Sequence, residues 1–219
     1  LGVVAVALAS RPVLPVDETR YLAVAWEMWS QGDFVLPTLN GEAYSHKPPL
    51  LFWLINLGWG FFGVNEWWPR MVAPLFGLGS LFLTGALARR LWPYSEETAL
   101  AAPLILFGCV FWTLYTTLTM FDMILTFFAL TGLLGIVQAW RGGGRRGFAL
   151  LAVGIGLGLL TKGPAILVHV LPLPEELVDQ DVAVAQGHID QPSLADQLGA
   201  GTVRLRGIGD RHAPDAVFP

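Results

Sequence analysis

Two acidic residues stand side by side at Asp17-Glu18, directly after an apolar stretch and Pro15. A carboxylate there could serve as a general base or orient an acceptor hydroxyl. The same position would also suit a solvated loop acid. Lys47 follows Tyr44 and His46 and precedes Pro48-Pro49. A cation held beside a stiff dipeptide could receive a lipid phosphate, or it could simply snorkel to the membrane surface. Asp122 separates two charge-free blocks, residues 99–121 and 123–140. An ionisable group at membrane depth is costly and points to function, although at the end of a span it could equally cap a helix. Lys162, in Thr161-Lys162-Gly163-Pro164, interrupts another apolar stretch. Arg89-Arg90 and the group Arg141, Arg145 and Arg146 read instead as ordinary flanking charges. Each signal is modest alone. An acid pair, two lysines and a lone aspartate would make an anion-handling site with a base, provided the fold gathers them.

The elements available to gather them are helices in a membrane. The chain has 219 residues, of which 54% are hydrophobic and only 14% charged, with a mean hydropathy of +0.56. Soluble domains carry about 25% charged residues. Charge-free blocks of 18, 23 and 18 residues, at 71–88, 99–121 and 123–140, are long enough to cross the hydrocarbon as helices. The fold class is therefore all-α and polytopic. Residues 1–10 are apolar without a charged leader or a cleavage site, and read as the end of a first transmembrane helix rather than a signal peptide. The single cysteine, Cys109, excludes a disulfide framework and a thiolate metal site. A net charge of -4 argues against nucleic acid as a partner.

Between the first apolar stretch and the long spans lies a polar segment rich in aromatics. Residues 19–31 have a helical period, with Tyr21, Ala25 and Met28 on one stripe and Leu22, Trp26 and Trp29 on the next. Gly32 ends that helix and Asn40-Gly41 marks a turn. Six of the nine tryptophans fall between Trp26 and Trp68, as expected for a chain lying at the membrane–water boundary. The apolar run at 50–62 has 13 residues, about 20 Å as a helix. That is short for a span and fits an interfacial or re-entrant helix. A shorter apolar pair, 148–161 and 163–173, closes the hydrophobic part. Gly154, Gly156 and Gly158 in its first member fit ordinary small-residue packing between helices.

Topology decides whether a site exists. If 50–62 lies in the interface, then Asp17, Glu18, Lys47, Asp122 and Lys162 share one side, opposite Arg89-Arg90 and the Arg141–Arg146 loop. If it crosses, the site is split. Lysines and arginines divide five and five in the first arrangement but eight and two in the second, so charge bias opposes the shared site. The short helix and the clustering of ionisable groups favour it. The residues alone leave the choice open.

The stretch Pro15–Leu50, PVDETRYLAVAWEMWSQGDFVLPTLNGEAYSHKPPL, closely resembles the first extracytoplasmic loop of bacterial lipid-linked sugar transferases. These are the aminoarabinose–lipid A transferases and their relatives among the protein O-mannosyltransferases, with the multi-spanning GT-C fold. Arg70, the segment 87–91, Asp122 and the segment 161–164 fall in the same order as in that family. The resemblance covers residues 1–172. Composition changes after Leu173: residues 1–173 hold 10 Lys+Arg and 9 Asp+Glu, and 174–219 hold 3 and 8. The tail at 174–219 reads as a disordered acidic segment or a frameshifted one. Because family members continue with further spans, a frameshift or truncation is the preferred expectation, and with it doubtful activity for this chain by itself.

The resemblance implies that Asp17 is the catalytic carboxylate, with Glu18 beside it as the second catalytic acid. It implies that Lys47 and Lys162 contact the phosphate of a polyprenyl-phosphate sugar donor, with Arg20 and Tyr44 as further substrate-binding groups. It also places the 50–62 helix in the interface, which resolves the topology in favour of one shared site. Many relatives have an acid at the position of His46, and some bind a divalent metal there with an aspartate matching Asp122. Histidine can serve a borderline metal too, so His46 and Asp122 are candidate ligands lacking a third. The implied function is sugar transfer to a lipid A or protein acceptor, on the extracytoplasmic side of a bacterial inner membrane. A transporter or flippase of lipid-linked sugars, or a non-catalytic scaffold, are the rival readings.

Overall fold

The computed structural model describes residues 16–171 together with Gly2 and Val6. The chain divides into units at 1–173 and 174–219. The expectations for the 174–219 tail, and for 1–10 apart from Gly2 and Val6, lie outside the described residues.

The chain enters its first described helix, α1 (Asp17–Gln31), through Val16 at φ 85°. A β-branched residue in the left-handed region is strained by about 1–3 kcal/mol, so the first turn of α1 must be held by its surroundings. The helix buries Glu18, Tyr21, Val24, Ala25 and Met28, the stripe expected at i, i+3, i+4 and i+7. Gly32 closes it at φ 72°, its N–H donating to Met28 O at 3.0 Å, a left-handed cap that glycine adopts at least cost.

Next come β1 (Thr38–Leu39) and β2 (Glu42–Ala43), an antiparallel pair with Thr38 opposite Ala43. Asn40 and Gly41 between them have φ 56° and 80°, the positive pair that a two-residue hairpin turn needs and that Asn-Gly supplies. Glu27 on α1 holds this turn, its carboxylate accepting the N–H groups of both Asn40 and Gly41. A hydrogen bond with Thr38 and these two backbone bonds keep the Glu27 carboxyl below its ordinary value of 4.5. Such a group stabilises the fold fully above the ordinary value and loses that contribution as pH falls through its lowered one. Glu27→Ala should therefore speed amide exchange at Asn40 and Gly41 at neutral pH, and the unaltered chain should show the same loosening only in acid below pH 4.5. Equal exchange in the two proteins would show that the turn does not depend on this anchor.

Pro49 precedes α2 (Leu50–Phe62), and Gly63 at φ 72° ends it. Three indoles lace this segment to its neighbours through backbone carbonyls. Trp53 Nε1 donates to Phe34 O, Trp59 Nε1 to Asn65 O, and Trp68 Nε1 to Leu54 O. Gly58 leaves the space that the Trp68 ring fills, since a Cβ there would fall 1.8 Å from its Nε1.

The remaining helices are α3 (Trp67–Leu91), α4 (Glu96–Gly108), α5 (Val110–Thr116), α6 (Asp122–Gln138), α7 (Gly144–Lys162) and the short α8 (Ala165–Val170). Two stretches are long and apolar enough to cross a membrane, Trp67–Leu91 and Asp122–Lys162, and a third if α4 and α5 form one bent span. The apolar run at 99–121 is bent within its length: α4 and α5 meet at 66°. Gly108 ends the first piece, Cys109 is extended at ψ 122°, and the Thr113 hydroxyl donates to Phe107 O at 3.1 Å, satisfying a carbonyl that the break releases.

The Asp122–Lys162 stretch is itself folded back. Arg141 and Gly142 leave helical angles, Gly142 at φ 83°, and α7 returns along α6. Glycines set their separation: a Cβ on Gly135 would lie 2.5 Å from Leu151 N, on Gly154 2.6 Å from Gly132 N, and on Gly147 2.4 Å from Ala139 N. These contacts step along the two helices in antiparallel order. Helices of 17 and 19 residues span about 26 and 28 Å, close to the hydrocarbon thickness. At the turn end, Arg90 Nη1 donates to Gln138 Oε1 at 2.8 Å, so the end of α3 and the turn lie together. At the other end, Asp122 meets Lys162.

Candidate functional site

The first turn of α1 docks on the chain entering α6. Glu18 is 1% exposed, and its Oε1 accepts the Thr119 N–H at 2.6 Å, across 101 positions of sequence. One helical turn further on, Tyr21 places its ring edge-on to Phe121, 5.0 Å between centroids, and Phe52 of α2 packs on Phe121 at 5.8 Å. Tyr44, after β2, lies 6.1 Å from Phe52. All of these rings are buried with Val24, Met28, Leu51, Ile55, Ile124 and Phe128 in a single core. That core brings the polar loop, the start of α2 and the start of α6 to one end of the helices.

The ionisable groups follow. Lys162 Nζ lies 2.8 Å from Asp122 Oδ1, each side chain about one-third exposed, so the open end of the α6–α7 hairpin carries a half-buried ion pair. Asp17, 47% exposed, stands 3.8 Å from Arg20 Nη1 one helical turn away. Tyr21 sits among them: burial first, and then the negative charges of Asp17 and Asp122 and its neighbour Tyr44, outweigh Arg20 and push its phenol up to about 12. Its hydroxyl thus stays protonated and able to donate at any physiological pH. Arg20, Leu39, Glu42, Ala43, Tyr44 and His46 line a cleft beside it. Lys47 is half-buried, and among the described residues it makes no hydrogen bond or ion pair.

The candidates from the sequence are thus gathered around two foci. Asp17, Arg20, Tyr44 and His46 belong to the α1–hairpin side, and Asp122 and Lys162 to the α6–α7 side, with Tyr21 within electrostatic reach of Asp17, Tyr44 and Asp122. Glu18, the second acid expected to be catalytic, faces into protein. Two participants were missed in the sequence. Tyr21 reads in the sequence as part of an apolar stripe, although its place four residues after Asp17 puts both on one helix face. Thr119 acts through its backbone N–H, which no side-chain pattern signals.

The metal option gains no third ligand from the described residues. Among the described residues no group of three or more His, Cys, Asp and Glu could hold an ion. His46 is exposed with its ring against Tyr44 at 5.4 Å, and an Asp122 oxygen is already taken by Lys162. No step below passes through a metal.

Apolar helices of membrane-crossing length and an aromatic loop carrying an acid pair at one end of them give the described residues the arrangement of a membrane-embedded GT-C scaffold. The comparisons make this specific: the chain belongs to the dolichyl-phosphate-mannose-protein mannosyltransferase family, whose model matches residues 11–174. It is 35% identical over 164 residues to the undecaprenyl phosphate-alpha-4-amino-4-deoxy-L-arabinose arabinosyl transferase of Pseudomonas aeruginosa, covering 72% of this chain and 29% of that protein. Its fold matches the crystal structure of ArnT from Cupriavidus metallidurans in the apo state, with a TM-score of 0.71 and 27% identity over 84% of this chain and 35% of that one. The same protein bound to undecaprenyl phosphate matches equally well, at 26% identity. The chain is related to polyprenyl-phosphate sugar transferases and spans under a third of the length of the curated relatives it matches.

Proposed function

We propose that this chain is the donor-handling front part of a glycosyltransferase that moves a sugar from a polyprenyl-phosphate carrier to a lipid A or protein acceptor, on the extracytoplasmic face of a bacterial inner membrane. The observation that carries this reading is the convergence of Asp17, Arg20, Tyr44, Asp122 and Lys162 at one end of membrane-length helices. The family and the undecaprenyl phosphate named in a relative's structure support the substrate class.

The reaction is a single displacement with inversion at the anomeric carbon. An acceptor oxygen attacks that carbon, the bond from carbon to the donor phosphate oxygen breaks, and the polyprenyl phosphate leaves with the electron pair. Asp17 takes the acceptor's proton or, where the acceptor is itself an ionised phosphate, only orients it. Lys47 and Arg20, with Lys162 behind them, stabilise the charge that develops on the leaving phosphate. Tyr44, and Tyr21 with its protonated hydroxyl, serve as further donors to the same phosphate. The carrier's isoprenoid tail lies among the helices, which gives a sugar transferase a reason to be built of them.

The test is sugar transfer in membranes containing the full-length enzyme, with a synthetic polyprenyl-phosphate sugar as donor. Activity dependent on that donor is expected. Lys47→Ala should raise the apparent donor KM about tenfold or more, since a charge-assisted hydrogen bond contributes roughly 1.5–3 kcal/mol. Unchanged donor affinity would reduce Lys47 to a membrane anchor. Movement of lipid-linked sugar across the bilayer without transfer would replace the enzyme reading with the flippase one.

A further inference from the structure

The acid pair Asp17-Glu18 is split by the helix into two unlike environments. Asp17 is about half exposed. Glu18, the next residue, is 1% exposed, and its carboxylate accepts a backbone N–H from a segment 101 residues away. We infer that Glu18 is a positioning residue: a strap that fixes the Asp17 end of α1 to the segment leading into Asp122, and so sets the spacing between the two halves of the site. This rests on the proposed transferase reading but makes its own claim about which acid of the pair handles protons.

The geometry favours a strap for three reasons. Thr119 lies three residues before Asp122, where α6 begins, so a bond to its N–H acts on the aspartate through only one turn of chain. The same contact holds the first turn of α1, which starts from the strained Val16 and whose N-cap makes no side-chain capping bond. Among the described residues the Tyr21–Phe121 edge contact acts beside it along the same seam. An aromatic contact is apolar and tolerates sliding, whereas a charge-assisted hydrogen bond at 2.6 Å is directional and fixes register.

The experiment compares Glu18→Gln and Glu18→Ala in the full-length enzyme by two readouts. Hydrogen–deuterium exchange over residues 116–121 reports the strap without any need for activity. Glu18→Ala should deprotect the Thr119 amide strongly, and Glu18→Gln, whose amide oxygen still accepts the bond, should do so only slightly. In the transfer assay Glu18→Gln should keep the pH–rate profile and most of kcat. Glu18→Ala should lose about a hundredfold in kcat, the scale of a 1 Å misplacement, with donor KM little changed. If Glu18→Ala does not insert, Glu18→Gln decides by itself: a flattened pH profile with undisturbed exchange makes Glu18 a proton-handling group and overturns the inference. Unchanged exchange at Thr119 in Glu18→Ala also overturns it. Should transfer prove not to be the reaction at all, the proposed function fails while the exchange data still decide whether the strap exists.

Discussion

Asp17→Asn in the full-length enzyme should reduce transfer to a hydroxyl acceptor by about 10²–10⁴-fold, the usual contribution of a positioned general base. Asparagine has nearly the shape of aspartate but cannot take up a proton, so the change isolates the chemistry. The fold should not notice it. The side chain is about half exposed, and its ion pair to Arg20 at 3.8 Å is of the surface kind that contributes little. Transfer measured with labelled donor, alongside membrane insertion judged by extraction and gel filtration, separates the two effects. Full activity in Asp17→Asn would remove this residue from the mechanism and return attention to the other groups at the same end.

The second large effect is steric. Gly154→Ala should destabilise the α6–α7 hairpin by about 1–3 kcal/mol. The new methyl would lie 2.6 Å from Gly132 N and 2.8 Å from Phe128 O, and backbone cannot step aside as a side chain can. Gly156 supplies the control two residues away, because a Cβ there meets nothing within 4 Å. Gly156→Ala should be neutral or stabilising by up to about 1 kcal/mol through helix propensity. Thermal stability in detergent, measured for both, checks the pair. Equal behaviour of the two variants would show that the glycine seam does not set the helix separation. Because Asp122 and Lys162 close the open end of this hairpin, Gly154→Ala should also weaken their pairing.

These two tests rest on features of different visibility. The 13-residue helix at 50–62 was legible to its boundaries, because a proline pair and a glycine bracket an unbroken apolar run. The Gly32 cap and the Asn40-Gly41 turn were legible for a related reason: both need positive φ, and few residues supply it cheaply. That Asp122 and Lys162 share one end followed from the lengths of the spans between them, whereas their ion pair had no signal in the sequence. The bend at Cys109 did not show, since an apolar run looks the same whether or not it is continuous. Nor did the role of the glycines: Gly154 and Gly158 meet other helices while Gly156 faces open space, and only the register of α7 on α6 separates them. Glu18 was the hardest to read. Adjacent acids look alike in sequence, but a helix turns successive residues about 100° apart, and here one faces protein and the other solvent.

The α6–α7 hairpin has a consequence for how the molecule assembles. Its partners are separated by a few tens of residues at most, so its contacts form at low entropic cost, whereas Glu18 must find Thr119 across 101 positions. Contacts near in sequence generally form before distant ones. The hairpin is therefore expected to mature first, carrying Asp122 and Lys162 already paired, and α1 to settle afterwards onto a finished surface. Asp17, the acid proposed to act on the acceptor, would arrive last, on the final piece of the fold to be locked down.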